Sequence, residues 1–395
     1  MKLLIINYMA LPIPPVKGGA VEYLINAFLT DNEKKHNHDI TVYSIYDEKA
    51  QAEGKNYKYT KFKYIKIGNV FDKIDRIIRH IINRFTKFYI GNTYIYKLIK
   101  DEKNLNQYDA IIIENAPEFG LKIPKYYKNK LILHLHNDYL NASSKNAKEI
   151  FNLYDEIYTI SDSLGENVKT IEKLDKVKTL YNGIDIKRFS YQNEKREGMR
   201  KKYNISNDDF VFMYCGRIVP DKGVIELVKA FSNIKEEKVK LLIVGGVGYS
   251  NQGTSDYMEN IRKYTDERVI FTGFVPYSEI QELYNVPDVG VVPSICQDAF
   301  NLTVIEFGAN GIPLIISDRG AMKELVNDKC SVIAKCNEEF EDNLYKCLRF
   351  MLDNKKNIAA MGNEALKVSK KFSIESYCDK FNALLTSINE VDSDG

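Results

Sequence analysis

Short apolar segments alternate with longer amphipathic segments along almost the whole chain. Several of the short segments are apolar at every position, which is typical of parallel strands buried on both faces. The longer segments, over 19–29, 224–231, 257–263 and 303–310, carry the pattern of helices. This alternation in both halves predicts two doubly wound α/β domains. The predicted strands are Leu3–Ile6, Ile40–Ser44, Ala110–Glu114, Leu131–His134 and Glu156–Ile160, then Phe210–Tyr214, Lys240–Val244, Val269–Phe271, Val289–Val292 and Pro313–Ser317.

The strand pattern stops between residues 187 and 205, where a charged, polar stretch takes its place. We therefore expect an N-terminal domain over 1–186, a linker over 187–205 and a C-terminal domain over 206–370. The segment 371–395 is expected to form a helix that returns to the N-terminal domain, with a frayed polar tail. A length of 395 residues fits two domains of ordinary size.

The composition is that of a soluble globular protein, with 44% hydrophobic and 28% charged residues. It excludes a disordered chain, a collagen-like chain and a small disulfide scaffold. No apolar stretch approaches the ~20 residues that a membrane-spanning helix needs, and Leu3–Ile6 is too short for the core of a signal peptide. All six cysteines lie in the second half without CxxC spacing. This usage favours reduced thiols in a cytoplasmic protein.

The formal net charge of +2 hides a strongly basic segment. Residues 55–100 contain twelve lysines and arginines against two aspartates, a local balance of +10, and are dense in aromatic residues. Such a segment favours an anionic partner: a membrane surface, a phosphorylated lipid or a nucleic acid. Within it, apolar residues recur at helical spacing with cations around them, the pattern of a helix lying in a membrane interface. The apolar stripe is Phe71, Ile74, Ile78, Ile81, Phe85 and Phe88, and the cations are Lys73, Arg76, Arg79, Arg84 and Lys87.

Two alternatives remain for the basic segment. The stripe can instead pack on the N-terminal domain, with its charges simply solvated. A nucleic-acid-binding protein would also explain the charge, but the segment contains no recognised nucleic-acid-binding module. We therefore expect no nucleic acid among the partners.

A glycine pair, Gly18-Gly19, lies between the first predicted strand and the helix that follows it. In an open α/β sheet, ligands lie beyond the carboxyl ends of the strands. Glycines at that place let backbone N–H groups approach a phosphate at a helix N-terminus. The alternative is a plain tight turn between strand and helix.

The second half carries Gly216-Arg217 and Lys222-Gly223 directly after a predicted strand and before a helix. A bidentate guanidinium and an ammonium at the carboxyl end of a strand suit a diphosphate group. The alternative is two solvated surface cations. The flanking glycines and the helix start favour the phosphate site.

A third segment runs from the end of the strand at 289–292 into a helix and carries Asp298 and Glu306, eight residues apart. The amides of Asn301, Leu302 and Thr303 begin that helix and offer a further anion site. Glu306 is suited to accept hydrogen bonds from ribose hydroxyls. The alternative is an ordinary glutamate on a helix face.

Four features along the chain resemble the retaining nucleotide-sugar glycosyltransferases of family 4: the Gly-Gly loop, Asn182-Gly183-Ile184-Asp185, the Gly-Arg…Lys-Gly segment and the Asp298…Glu306 pair. The opening segment through Gly18-Gly19-Ala20 is similar to bacterial polysaccharide and spore-coat glycosyltransferases. The resemblance covers nearly the whole chain and implies the GT-B fold, in which two Rossmann-like domains face each other across a cleft. The family usually carries Glu-x7-Glu, whereas here the first acid is Asp298, and Asn301 replaces the usual glycine.

The resemblance also implies roles for particular residues. In the family's N-terminal domain, a histidine after a central strand lies near the transferred sugar, and His136 matches it better than His134, which lies deeper in the strand. The segment Glu114-Asn115-Ala116-Pro117, at the end of another strand, is a candidate for shaping the acceptor pocket. The candidate catalytic residues are His136, Arg217, Lys222 and Asp298, and the candidate donor-binding residues are Gly18, Gly19, Arg217, Lys222, Asn301, Leu302, Thr303 and Glu306.

We expect neither a metal nor a cofactor apart from the donor substrate. GT-B enzymes usually work without a metal, because cationic side chains and helix dipoles neutralise the leaving diphosphate. Asp392-Ser393-Asp394 is a formal DxD sequence, but no strand precedes it, and no other group of residues has metal-ligand spacing. UDP is the donor nucleotide that occurs most often in the family.

The resemblance implies a retaining hexosyltransferase that extends a glycan, with a capsular or exopolysaccharide intermediate on a polyprenyl diphosphate as acceptor. The expected location is cytoplasmic, peripheral on the inner face of the plasma membrane. An alternative of another class is a catalytically inactive GT-B subunit that stabilises an active partner. Such a subunit would be expected to lose the cation pair or the second acid, whereas this chain keeps Arg217, Lys222 and Glu306. A sugar-nucleotide epimerase also uses the fold, but its sequence signatures differ.

Overall fold

The computed structural model describes residues 1–7, 11–68, 70–85, 91–123, 125–247 and 256–390. The chain divides into two compact units. The first unit comprises Met1–Gly183 together with Ile374–Gly395, and the second comprises Ile184–Ser373. Each unit is built on one parallel sheet with helices packed against it. No described helix is both long enough and apolar enough to span a membrane.

Seven parallel strands form the sheet of the first unit: β1 (Lys2–Ile6), β2 (Asp39–Ile45), β3 (Thr60–Ile65), β4 (Ala110–Glu114), β5 (Lys130–Leu135), β6 (Glu156–Thr159) and β7 (Val177–Thr179). Their order is β3-β2-β1-β4-β5-β6-β7. The order runs outward in opposite directions from β1 and β4. The carboxyl ends of these two strands therefore mark the switch point at which doubly wound sheets bind ligands.

The helices of the first unit cover both faces of its sheet, since β1 and β4 are apolar at almost every position and fully buried. Helix α1 packs against the C-terminal helix α13, and both belong to the same core as Leu3, Ile5 and Ile112. The chain's last described helix therefore completes the first unit. The helices are α1 (Ala20–Lys35), α2 (Glu48–Gly54), α3 (Val70–Phe85), α4 (Thr93–Asp101), α5 (Ala147–Leu153), α6 (Asp162–Lys169) and α13 (Ile374–Glu390).

Six parallel strands form the sheet of the second unit: β8 (Phe210–Cys215), β9 (Val239–Val244), β10 (Val269–Gly273), β11 (Val289–Val292), β12 (Leu314–Ser317) and β13 (Ser331–Ala334). Their order is β10-β9-β8-β11-β12-β13, so the switch point lies between the paired strands β8 and β11. The helices of this unit are α7 (Asn193–Lys202), α8 (Val224–Ser232), α9 (Asp256–Arg262), α10 (Leu302–Ala309), α11 (Phe340–Asp353) and α12 (Ile358–Ser369).

The segment expected as a linker, 187–205, is instead part of the second unit. Helix α7 occupies most of it, and two arginines hold this helix to the body of the unit. Arg196 pairs with Asp288 at 2.7 Å, and the almost fully buried Arg200 donates to Asp288 and to the carbonyl of Val286. The strand pattern stops there because a charged helix begins. The boundaries between the units fall after residues 183 and 373, within a few residues of the expected positions.

All ten strands predicted from the apolar segments are present. Three more strands, β3, β7 and β13, were not predicted, and each is an outer strand of its sheet. Strand β3 falls inside the basic segment, where Lys61 and Lys63 alternate with apolar residues. That pattern fits an edge strand with one face near water. The basic segment therefore includes a strand of the first sheet as well as helices α3 and α4.

Candidate functional site

The two strands at the switch point of the second unit carry the candidate donor-binding residues. Arg217 follows the end of β8, and Asp298 lies in the loop that follows β11. Because β8 and β11 are hydrogen-bonded parallel neighbours, their carboxyl ends lie at the same edge of the sheet. The sheet therefore brings these loops to the place where an open α/β sheet binds its ligand.

Lys222 and Asp298 form an ion pair, with Lys222 Nζ 2.6 Å from Asp298 Oδ1. The other oxygen of Asp298 accepts hydrogen bonds from the Ser294 hydroxyl at 2.7 Å and from the Asn301 side-chain amide at 3.0 Å. Burial raises the pKa of Asp298, but Lys222 and Ser294 lower it further, so the net shift is downward. Burial lowers the pKa of Lys222, and Asp298 outweighs that effect. Both side chains are therefore charged and hold each other in place.

Two glycines allow this ion pair to form. Gly223, directly after Lys222, has φ 68°, and a Cβ there would lie 2.0 Å from the carbonyl oxygen of Pro293. Gly320, after β12, has φ 57°, and a Cβ there would lie 2.3 Å from the carbonyl oxygen of Asp298. Only glycine fits both the backbone angle and the space at these positions. Gly320 was missed by the sequence analysis, although its place beyond a predicted strand was a usable signal.

Arg217 is exposed, and its guanidinium has no hydrogen bond or ion pair with any described residue. Its backbone is fixed, since the Tyr214 hydroxyl donates to its carbonyl oxygen at 2.6 Å. An anchored backbone with an uncommitted guanidinium suits the binding of an anion from solution. Arg217 therefore differs from Lys222, which already has a carboxylate partner.

Helix α10 offers its N-terminal amides to a ligand. Asn301 stands at the N-cap position, but its side chain donates to Asp298 and makes no cap hydrogen bond. The first-turn amides of Leu302 and Thr303 therefore lack a side-chain cap. Such uncapped amides, together with the helix dipole, form an anion site.

Glu306 is buried within the second unit and is not the surface residue that the alternative interpretation required. Its two carboxylate oxygens accept hydrogen bonds from the hydroxyls of Tyr284 at 2.5 Å and Tyr277 at 3.1 Å. Burial raises the pKa of Glu306, an effect that the two tyrosines only partly offset. A ribose hydroxyl that binds Glu306 has to share or replace one of these bonds. Tyr277 is the one suited to exchange, because its ring is 47% exposed and its bond is longer.

The glycine pair of the first unit has an unexpected neighbour. Gly18 and Gly19 precede α1 with positive φ, as the turn requires. However, the carboxylate of Glu22 lies against Gly19, so that a Cβ there would lie 2.1 Å from Glu22 Oε2. Burial raises the pKa of Glu22. The expected phosphate contact at Gly18 and Gly19 stays a prediction, and the structure places a carboxyl group where the sequence analysis expected only backbone amides.

His136 follows β5, and its ring is held by Glu114 at the end of β4. His136 Nε2 lies 2.8 Å from Glu114 Oε2, and His134 Nδ1 lies 3.0 Å from the same oxygen. Burial lowers the pKa of His136 to about 4. Burial raises the pKa of Glu114, but His134 and His136 together lower it to about 2. Glu114 is fully buried, so its side chain can act on an acceptor pocket only through its neighbours, and the expected role of the segment 114–117 stays a prediction.

Among the described residues, Glu114, His134 and His136 are the one group whose ligand-type atoms could hold a metal ion, since these atoms lie within 4.8 Å of one another. The distances within the group are those of hydrogen bonds and close contacts between the carboxylate and the two rings. We therefore describe it as a carboxylate–histidine cluster. The formal DxD sequence, Asp392-Ser393-Asp394, lies outside the described residues.

Comparison with known proteins shows which family and which proteins the chain resembles. Residues 195–368 match the family described as Glycosyl transferases group 1. Spore coat protein SA of Bacillus subtilis is 25% identical over 344 residues, which are 83% of this chain and 84% of that protein. The capsular polysaccharide biosynthesis glycosyltransferase CapM of Staphylococcus aureus is 29% identical over 239 residues, which are 58% of this chain and 60% of that protein.

Solved structures agree on the fold. The crystal structure of Anabaena HepE in complex with UDP superposes with a TM-score of 0.75 at 17% identity, covering 98% of this chain and all of that one. The lipopolysaccharide galactosyltransferase WaaB gives a TM-score of 0.68 at 17% identity, covering 98% of this chain and 99% of that one. The match over residues 195–368, the named relatives and the shared fold together identify the protein as a glycosyltransferase with the GT-B fold.

Proposed function

We propose that the protein transfers a hexosyl unit from a nucleoside-diphosphate sugar to a growing bacterial polysaccharide, with retention of the anomeric configuration. The observation that carries this proposal is the group of charges at the switch point of the second unit. Three groups offer positive charge to one small region of the sheet edge there. They are the guanidinium of Arg217, which is unpaired among the described residues, the ammonium of Lys222 and the uncapped N-terminus of α10. That set matches a diphosphate. CapM, a relative, is named for capsular polysaccharide biosynthesis.

The charge that develops on the leaving diphosphate sets the roles of these groups. Arg217, Lys222 and the amides of Leu302 and Thr303 stabilise this charge as donors fixed before the reaction. One diphosphate oxygen takes the proton of the acceptor hydroxyl on the same face, and the configuration is retained. Asp298 binds hydroxyls of the donor sugar and keeps Lys222 in position. These donors neutralise the diphosphate without a metal ion.

UDP is the proposed nucleotide, because the HepE structures contain UDP, UDP with glucose, and UDP-glucose. We expect that UDP-sugars raise the melting temperature of the protein in a thermal-shift screen that also includes GDP-, ADP- and dTDP-sugars. A ligand at a hundredfold excess over its Kd stabilises the fold by about 2.7 kcal/mol. The anomeric configuration of the product, read by NMR after incubation with an acceptor, tests retention.

The incubation with donor and acceptor also distinguishes an enzyme from an inactive subunit. An inactive GT-B subunit gives no turnover with any donor, even with the acceptor present. No stabilisation by any nucleotide sugar would contradict the donor site itself. Stabilisation by a GDP-sugar alone would be consistent with the proposed donor site but would contradict uracil as the base of the donor. An inverted product would overturn the retaining mechanism.

Helix α3 carries the proposed membrane contact. Among its described side chains, Ile74, Ile77 and Ile78 are 50%, 61% and 51% exposed. Ile74 and Ile78 of the predicted stripe are thus about half exposed, as is Ile77 beside them, and this exposure favours the interfacial helix over the packing alternative. Lys87 and Phe88 of the predicted pattern lie outside the described residues, as do the side chains of Phe71, Arg76, Ile81, Arg84 and Phe85.

Some cations of the basic segment are already paired. Arg79 donates to Asp75 and Lys97 contacts Asp72, so these two cations neutralise the two acids of the segment. Arg79 is therefore not one of the cations that face head groups, contrary to the predicted pattern. The remaining positive charge still favours an anionic surface, where each lysine or arginine contributes ~1 kcal/mol. A polyprenyl-diphosphate-linked acceptor would lie at such a surface.

We expect the protein to sediment with vesicles of phosphatidylglycerol, and not with vesicles of phosphatidylcholine, at low salt. Replacing Ile74 and Ile78 together by serine should abolish most of this binding, because the apolar face supplies the insertion. Leu174→Ser is the matched control, since Leu174 is an exposed apolar residue of the same unit, 44% exposed. Equal binding by all three proteins, or binding that ignores lipid charge and salt, would contradict an interfacial role for α3.

A further inference from the structure

The carboxylate–histidine cluster of the first unit is more than a buried ion pair, because it fixes one histidine at two points. The Nε2 atom of His136 lies 2.8 Å from Glu114 Oε2 in hydrogen-bond geometry. The backbone N–H of His136 donates to the side-chain oxygen of Asn115 at 3.0 Å. Asn115 itself has φ 54°, and its own N–H donates to the carbonyl of His134. Two consecutive residues at the end of β4 thus hold the ring and the backbone of His136.

The geometry around Glu114 favours one ring nitrogen of His136 as the one that carries the proton. Glu114 is fully buried, and an ionised carboxylate in that position requires a donor. His134 Nδ1 approaches the same oxygen at 3.0 Å but off the hydrogen-bond direction, which leaves His136 Nε2 as the aligned donor. A neutral imidazole that donates from Nε2 has its lone pair on Nδ1. Among the described residues, Nδ1 of His136 has no hydrogen-bond partner.

We propose that Glu114 is a positioning residue that holds His136 as the neutral tautomer protonated at Nε2, so that His136 meets the substrate as a hydrogen-bond acceptor through Nδ1. This inference rests on the proposed function, because the substrate group is a sugar hydroxyl. The hydroxyl donates its hydrogen bond to Nδ1, and no proton is transferred. A histidine that acted as an acid would need a proton on the nitrogen that faces the substrate, and the contact with Glu114 directs the proton to the other nitrogen.

Groups from four elements surround the cluster and determine its response to pH. Glu114 comes from β4 and His134 from β5, where the two histidine rings lie 4.2 Å apart. Burial raises the pKa of Tyr377 of α13 and of Glu22 of α1, and the charge of Glu114 adds to both shifts. Because burial lowers the pKa of His136 to about 4, the ring stays neutral from pH 6 to pH 8. Its tautomer should therefore be constant over that range.

The direct test is the protonation of the ring nitrogens, read by two-bond proton–nitrogen NMR on protein labelled with 15N-histidine. The His136→Gln variant identifies the signals of His136 among the five histidines. We expect a protonated Nε2 and an unprotonated Nδ1 in the wild type at pH 7. In Glu114→Gln, which keeps the shape of the side chain and removes its charge, we expect a mixture of tautomers. This measurement requires no substrate.

Activity provides the second readout. Glu114→Gln should lower kcat by about 10²-fold, at the lower end of what a positioned group at a reacting centre contributes. Kd for the free nucleoside diphosphate should stay within about twofold, because the proposed diphosphate contacts of Arg217, Lys222 and α10 belong to the second unit. His36→Gln, at an exposed histidine of the same unit, should leave kcat unchanged. The melting temperature of each variant identifies any loss that comes from folding alone.

Several outcomes of these experiments would contradict the proposal. A wild-type His136 that is protonated at Nδ1, or cationic at pH 7, removes the tautomer assignment. If His136 keeps the same tautomer in Glu114→Gln, Glu114 does not determine the tautomer. If that variant also has a lower melting temperature, the role of Glu114 is structural only. Stoichiometric zinc in the purified protein, bound through these residues, would replace the cluster by a metal site. If no nucleotide sugar is turned over, the proposed function fails, while the NMR result still decides the tautomer.

Discussion

Arg217→Ala should lower kcat/KM for the true donor and acceptor by ~10²-fold or more, which is the scale of removing one preorganised donor from a developing negative charge. The structure makes this expectation sharper than the sequence did. Among the described residues, the guanidinium of Arg217 has no hydrogen-bond or ion-pair partner, so its removal breaks no such contact with them. The variant should therefore fold normally, and its loss should reside in the reaction.

Three measurements make this test specific. Arg349→Ala removes a guanidinium from the surface of α11 in the same unit and should leave kcat/KM unchanged. Arg217→Lys keeps the charge but loses the bidentate geometry, and we expect an intermediate loss. The free nucleoside diphosphate should also bind Arg217→Ala more weakly. Normal turnover by Arg217→Ala would show that the phosphate site lies elsewhere.

The central strands were predictable from the sequence because burial on both faces leaves a continuous apolar signal. Strand β4 is apolar over Ala110–Ile113 and β8 over Phe210–Cys215, and both lie inside their sheets. Edge strands lose this signal, since one side of the strand meets water. β3 alternates lysines with apolar residues, and β7 has only three residues. Burial on both faces makes a central strand continuously apolar, and its absence at an edge strand removes that signal.

The charged helix α7 was mistaken for a linker for a related reason. Its partners are not on the same segment, since Arg196 and Arg200 pair with Asp288, which lies 92 and 88 residues further along the sequence. A buried arginine whose donors are satisfied by distant oxygens looks like a solvated one when only the sequence is known. The strand pattern identifies where an α/β domain has its sheet, but it does not identify every helix packed on the outside.

The candidate site was predictable in its residue types and less so in its contacts. Positions after strands identified Arg217, Lys222 and Asp298, because the carboxyl ends of parallel strands meet at one edge. The ion pair between Lys222 and Asp298 depends on two loops closing together and was not predictable. Nor was the burial of Glu306, because its tyrosine partners come from the segment between β10 and β11. Helical periodicity alone does not distinguish a ligand-facing acid from one that anchors neighbouring side chains.

These contacts change how the two acids should be tested. Glu306→Ala would leave the buried hydroxyl of Tyr284 without its acceptor, and an unsatisfied buried hydroxyl costs ~1–3 kcal/mol. A loss of donor affinity in that variant would be confused with a loss of folding. Glu306→Gln is the better variant, because it keeps the shape and one acceptor oxygen. Asp298→Asn is the matching change at the other acid.

Asp298→Asn should lower transfer of the sugar by about 10²-fold, while the free nucleoside diphosphate binds as tightly as before or more tightly. The physical reason is the ion pair at 2.6 Å, because removing the carboxylate charge releases the ammonium of Lys222 from a competing anion. Glu306→Gln should weaken the nucleoside diphosphate by about 10-fold, as expected for the loss of a hydrogen bond to a charged group. Calorimetric titration of the free diphosphate into both variants decides between these patterns. Equal losses of affinity in the two variants would show that Asp298 and Glu306 do not divide the donor between sugar and nucleotide.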